Sequence, residues 1–100
     1  MPNLTSKQRT HLRALAHGLK PILQVGNDGV GDAFLHSIEE AFHTRELLKV
    51  RVLKNAPENA RASADTIVAR LPEVAAVMTI GRTVALYRPF PEKPEIALPR

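Results

Sequence analysis

Cysteine is absent from this 100-residue chain, and so is tryptophan. Without thiols there are no disulfides, no thiolate nucleophile and none of the common structural zinc sites, which suits a reducing cytoplasm. Aromatic residues are few, three Phe and one Tyr. A surface that reads single strands by stacking bases is therefore not expected. No apolar run approaches membrane-spanning length, and the opening MPNLTSKQR lacks the apolar core of a signal peptide. These absences predict a cytoplasmic, soluble protein. Acid is missing from long stretches as well. Residues 1–27 carry Lys7, Arg9, Arg13 and Lys20 with no carboxylate, and 48–54 carry Lys49, Arg51 and Lys54 with none. The segment 81–88 adds Arg82 and Arg88, while Asp32, Glu39, Glu40 and Glu46 crowd together. The signs are sorted by element, whereas a merely solvated surface mixes them.

What is present reads as one domain. Hydrophobic content of 44% argues for a packed core, and a net charge of +4 leans toward an anionic partner. Thr5 and Gln8 fit a capping box, followed by Leu12, Leu15, Ala16 and Leu19 at helical spacing, with Gly18 placed as the C′ residue. Pro21 to Val25 reads as a short buried strand. Phe34, Leu35, Ile38, Ala41 and Phe42 predict a second helix. Its far face holds His36, Glu39, Glu40 and His43, with His36–Glu40 and Glu39–His43 one turn apart. No HExxH-like pattern accompanies them, so surface ion pairing explains them better than a metal. No metal or cofactor is expected.

Glu46 to Lys54 alternates as a strand, Leu48, Val50 and Val52 facing one way and Lys49 and Arg51 the other. The basic face is either solvated or meets something anionic. Asn55-Ala56-Pro57-Glu58 predicts a third helix with Pro57 in its first turn, a stripe at Ala60, Ala64, Ile67, Val68 and Leu71, and Pro72 as its stop. Val74–Ile80 and Thr83–Arg88 form a hairpin across Gly81-Arg82. The order is α-β-α-β-α-β-β. It predicts an α/β fold, an α+β sandwich on a four-stranded mixed sheet, with strand order left open. Residues 1–90 make the domain and 91–100 a proline-rich C-terminal tail, which Ile96 and Leu98 could dock on the body.

The stretch KPILQVGNDGVGD (20–32) is the most pointed feature. Gly26-Asn27-Asp28-Gly29 lies between a strand and a helix start, where unpaired amides and the helix dipole favour anions. Two readings stand: a phosphate-contacting GxxG loop, or ordinary Asn-Asp-Gly turn chemistry.

Several segments together resemble the CRM (chloroplast RNA splicing and ribosome maturation) domain, in particular its stand-alone bacterial form, the YhbY family. They are Leu4 to Arg9, Leu15 to Pro21, Gly26 to Gly29, Arg45 to Val52, Ile80 to Pro89 and Ile96 to Pro99, so the likeness spans essentially the whole chain. The resemblance implies a small RNA-binding fold similar to the C-terminal domain of translation initiation factor three. It implies a GxxG loop comparable to that of KH domains, which clamps an RNA backbone. It also implies a link to precursors of the large ribosomal subunit in bacteria, or to group II intron splicing in plants. Family loops often carry a basic or neutral residue between the glycines. Here Asp28 stands there, and a carboxylate repels phosphate.

The leading expectation is a non-catalytic, monomeric RNA-binding protein acting on ribosomal RNA in ribosome assembly. Lys7, Arg9, Arg13, Lys20, Lys49, Arg51, Lys54, Arg82 and Arg88 would contact phosphates, with Gly26, Asn27, Asp28 and Gly29 positioning the backbone. Shape and backbone recognition of structured RNA fits the scarce aromatics. The alternative is a protein-interaction domain docking on a ribosomal protein or assembly factor. Catalysis has little support: Ser6, Ser37 and Ser63 sit in helix patterns, and the His residues show no triad spacing.

Overall fold

The structure is a computed structural model and describes residues 3–100. Met1 and Pro2, the start of the segment read for a targeting signal, lie outside the described residues. Helix α1 (Ser6–His17) starts where the sequence says it should. The Thr5 hydroxyl accepts from the Gln8 N–H at 3.1 Å, and the Gln8 side-chain carbonyl accepts from the Thr5 N–H at 3.0 Å. Two otherwise orphaned amides are thereby satisfied. Its end differs from expectation. Gly18 is the C-cap itself, at φ −82°, and the Leu19 N–H returns to the Ala16 carbonyl at 3.0 Å, so no left-handed residue is used. The buried stripe is also narrower, consisting of Leu12 and Ala16, while Leu15 and Leu19 are 43% and 39% exposed.

Helix α2 (Asp32–Ala41) buries Leu35 and Ile38, with Phe42 buried just beyond it. Helix α3 (Ala60–Arg70) starts later than Pro57. Asn59 is the N-cap, its side-chain oxygen accepting from the Ala62 N–H at 2.8 Å, which leaves Pro57 in the preceding loop. A local side-chain acceptor outweighs the preference of proline for a first turn. The helix closes at Leu71, immediately before Pro72, as the restriction on a residue preceding proline requires.

Strands β1 (Leu23–Val25), β2 (Leu47–Val52), β3 (Ala75–Ile80) and β4 (Thr83–Tyr87) form one sheet in the order β1-β2-β4-β3. β1 and β2 are parallel, and the β2–β4 and β3–β4 pairs are antiparallel. The fold is thus α+β on a mixed four-stranded sheet. The two-residue Gly81-Arg82 turn, with Gly81 at φ +57°, closes the hairpin between Ile80 and Thr83.

Alternation in β2 assigns the two faces. Leu48, Val50 and Val52, with Val84 and Leu86 of β4, pack against Leu35, Ile38 and Phe42 of the α2 segment and Ala60, Ala64 and Ile67 of α3. On the other face Leu47, Ala85 and Tyr87 pack with Val77 against Leu12 and Ala16 of α1. Ile96 and Leu98 pack partly buried on this second cluster.

One buried carboxylate holds that last stretch. Glu46 is 3% exposed and accepts from the backbone N–H groups of Phe90 at 2.6 Å, Glu95 at 2.8 Å and Ile96 at 2.7 Å. The Gln8 amide adds a bond to the Pro99 carbonyl at 3.1 Å. Burial, and after it the Glu46 charge, raise the Tyr87 hydroxyl above its usual pKa. As Tyr87 is the one tyrosine and tryptophan is absent, its ultraviolet titration is directly readable. The midpoint should lie above ~10. A raised pKa gives stability that is present below ~10 and lost as pH rises through the folded-state value. A midpoint at or below that of free tyrosine would contradict this environment.

Candidate nucleic-acid interface

The parallel pairing of β1 with β2 puts their C-terminal ends side by side, and the Leu53 N–H bonds to the Val25 carbonyl at 2.9 Å. Because β4 runs the other way, the Gly81-Arg82 turn arrives at the same end, where the Val52 N–H bonds to the Arg82 carbonyl at 2.7 Å. Three connections therefore converge there: residues 26–31, 53–59 and 81–82.

Between β1 and α2, Gly26 to Gly29 form a β-turn closed by the Gly29 N–H on the Gly26 carbonyl at 3.0 Å. Asn27 and Asp28 are exposed at its tip and keep negative φ, while Gly29 is at φ +66°. The two glycines differ in what they need. A Cβ on Gly29 would sit 2.8 Å from Cγ of Pro57, so its bare Cα accommodates both a left-handed backbone and the neighbouring loop. A Cβ on Gly26 would meet only Cδ1 of Leu53 at 4.0 Å, an ordinary contact. Packing thus accounts for Gly29 but not for Gly26. The Gly29 amide is already engaged within the turn, so it is not a free donor for a ligand.

The nine cations expected at phosphates divide into three groups. Arg51, Lys54 and Arg82 are exposed at the loop end; Arg51 pairs across the strands with Thr83, and Lys54 and Arg82 line one groove with Pro57 and Asn59. None of the three is in an ion pair among the described residues. Lys7, Arg13 and Lys20 are exposed on or just after α1. The remaining cations do internal tasks. Arg9 donates through Nη1 to the Ala76 carbonyl at 2.9 Å, and Lys49 donates to the Leu19 carbonyl at 3.1 Å. The face carrying Lys49 is the one α1 covers, so this lysine bonds a carbonyl of its own chain. Arg88 follows β4 at the opposite end of the sheet and lies over the Phe42 ring, 5.7 Å from its centroid. No single surface collects all the basic residues.

Two acids of α2 have partners of their own. Glu40 lies between His36 at 3.5 Å and His43 at 3.8 Å, so Glu40 and not Glu39 meets His43. Asp32, beside the glycine turn, is taken by Arg70 at 2.6 Å. Pro57 is a partner of Gly29, and Gln24 and Ser37 line the groove beside the turn with Phe34. Nothing in their spacing marks them. Among the described residues no group of three His, Asp or Glu side chains is placed to hold a metal, and no helix is long and apolar enough to cross a membrane.

Residues 4–88 match the model of the CRS1/YhbY (CRM) domain. The chain belongs to this family. Among curated relatives, the CRM protein is 44% identical to "Probable RNA-binding protein YqeI" of Bacillus subtilis over 96% of this chain and 99% of that one. It is 39% identical to an RNA-binding protein of Haemophilus influenzae over 100% of this chain and 99% of the relative. The solution structure of a hypothetical protein from Staphylococcus aureus superposes on this CRM domain with a TM-score of 0.79. That pair is 36% identical, with 97% of this chain and 100% of the other covered. The fold and the family therefore agree with the resemblance read from the residues.

Proposed function

We propose that this CRM protein binds RNA without catalysis, through the sheet end formed by the Gly26–Gly29 turn, Arg51, Lys54 and Arg82. One observation carries the reading: three exposed cations, free of ion pairs among the described residues, flank a glycine turn whose Gly26 has no internal need to be glycine. Bare backbone beside free cations is what close approach of a phosphate requires. Names of the relatives above as RNA-binding proteins support it. With Phe42 and Tyr87 buried, stacking platforms are scarce, which favours backbone and shape recognition of structured RNA. The proposed target is ribosomal RNA in a precursor of the large subunit, met in the cytoplasm by a monomer assisting assembly. Crosslinking in cells followed by sequencing of the attached RNA tests this. Large-subunit precursor sequences are the expected product; enrichment of other RNA classes alone would overturn the target.

Asp28 gives a second, local test. Its carboxylate is exposed on the turn that the reading turns toward phosphate. Asp28→Lys should tighten RNA binding several-fold and steepen its salt dependence by ~0.7 to 0.9, one additional phosphate contact. The substitution leaves both glycines in place. Gly29→Val is less informative, because strain at φ +66° and the Pro57 contact would disturb the fold itself. An Asp28→Lys affinity equal to the parent at low salt, where electrostatics is largest, would show that the turn does not face RNA.

A further inference from the structure

β3 is the last strand of the sheet, so its outer edge has no neighbouring strand among the described residues. Such edges are usually blunted by charge, proline or irregularity. Here the blunting is confined to the first half. Arg9 occupies the Ala76 carbonyl, and the ladder is irregular between Ala76 and Met78. Met78-Thr79-Ile80 carries neither charge nor proline, and Ile80 is 56% exposed. Across the two-residue turn Ile80 and Thr83 form the closing pair, which exchanges its backbone bonds. Thr79 therefore directs its own N–H and C=O outward, away from β4.

Grooves flank this edge on both sides. On one, Arg13, Ala14 and His17 of α1 stand over Met78 and Ile80. On the other, Arg61, Asp65 and Val68 of α3 stand beside Thr79. The walls carry two arginines and a histidine against one carboxylate, and α1 itself contains no acid.

We propose that the free edge at Met78–Ile80 takes an extended, acidic peptide segment of a partner protein by strand addition. Carboxylates at alternate positions of the added strand would lie on the α1 side, their stems over Met78 and Ile80 and their oxygens reaching Arg13, and the apolar side chains between them would face Val68 on the α3 side. A peptide meets both the outward donor and the outward acceptor of Thr79. A nucleic-acid backbone offers mainly acceptors, and Met78 and Ile80 give its bases no aromatic surface. A second copy of this chain is disfavoured, because pairing β3 with β3 would set Arg13 and Arg61 of one copy against those of the other. The surface lies on the lateral edge of the sheet opposite β1, next to the Gly81-Arg82 turn, and does not depend on the RNA reading.

The test uses the full chain and a blocked peptide alternating valine with glutamate, followed by two-dimensional nitrogen–proton NMR. Shifts and slowed amide exchange are expected at Met78, Thr79 and Ile80, with a lysine-for-glutamate peptide giving none. Thr79→Pro removes the outward donor while leaving the bonds to β4, and should weaken binding about tenfold. Should that variant not fold, the same loss is expected for the parent protein with a peptide N-methylated at alternate amides. The proposal is overturned if β3 does not respond, or if N-methylation has no effect. It is equally overturned if duplex RNA shifts these amides and the peptide does not, or if they shift with protein concentration alone.

Discussion

Alanine at Arg51, Lys54 and Arg82 together is expected to weaken RNA binding about a hundredfold near 0.15 M salt. Each lost phosphate contact withdraws a released counterion, roughly fivefold in affinity at that concentration and 0.7 to 0.9 in salt slope. The slope of log affinity against log salt should therefore fall by ~2 to 3. All three side chains are exposed, so the fold should survive, and an unchanged melting temperature is part of the expectation. Two controls sharpen the result. Arg88→Ala removes a cation stacked on Phe42 at the far end of the sheet and should cost stability and not slope. Glu39→Ala with Glu40→Ala should leave affinity unchanged or raise it. A triple variant with the parent slope would take the loop end out of the interface.

Glu46→Ala should be strongly destabilising, by about 3 kcal/mol, or a fall in Tm of about 15 °C. The carboxylate is the acceptor for three backbone N–H groups from Phe90, Glu95 and Ile96, all partly buried. Without it those donors lose their partner unless the last stretch lifts away, and lifting exposes Ile96 and Leu98. Glu46→Gln should cost less, about 1 to 2 kcal/mol. Its carbonyl can keep Glu95 and Ile96, but its NH2 then points at the Phe90 N–H. Truncation after Pro91 should also lower Tm, since two aliphatic side chains lose contacts on the order of 3 kcal/mol at most. In the truncated chain Glu46→Ala should cost much less than in the full one, because two of its three partners are gone. Equal costs would show that Glu46 acts through something else.

How far the residues could be read depends on the range over which each signal acts. The α1 cap, the alternation of β2 and the Gly81-Arg82 turn rest on neighbours within a few positions, and these were legible. The start of α3 was not, because Asn55 and Asn59 both offer a cap and Pro57 favours the earlier one; the Asn59–Ala62 bond decides it. Strand order was silent, since periodicity reports which way a side chain faces and never which strand lies beside it. The same limit held at the candidate site. Basic residues were easily counted, and β4 itself holds Arg82 and Arg88 apart, yet only its antiparallel pairing with β2 brings Arg82 and not Arg88 to the glycine-turn end. Glu46 had a faint signal: it continues the inward register of Leu48, Val50 and Val52, where an acid is out of place unless something satisfies it.

The sheet order also has a kinetic side. Two locally built pieces, β1-α2-β2 and the β3–β4 hairpin, meet along a single seam, Leu47 to Arg51 against Tyr87 to Thr83. The hairpin needs only its two-residue turn, whereas the seam joins segments with all of α3 between them. Loop-closure entropy makes that seam the slow event. Val50→Ala and Val84→Ala, an opposed pair on the seam, should therefore slow folding and leave unfolding nearly unchanged. Glu46→Ala should do the reverse, because its amide partners sit beyond β4 and have nothing to dock on until the seam has closed. In a chevron plot the first pair moves the refolding arm and the second change moves the unfolding arm.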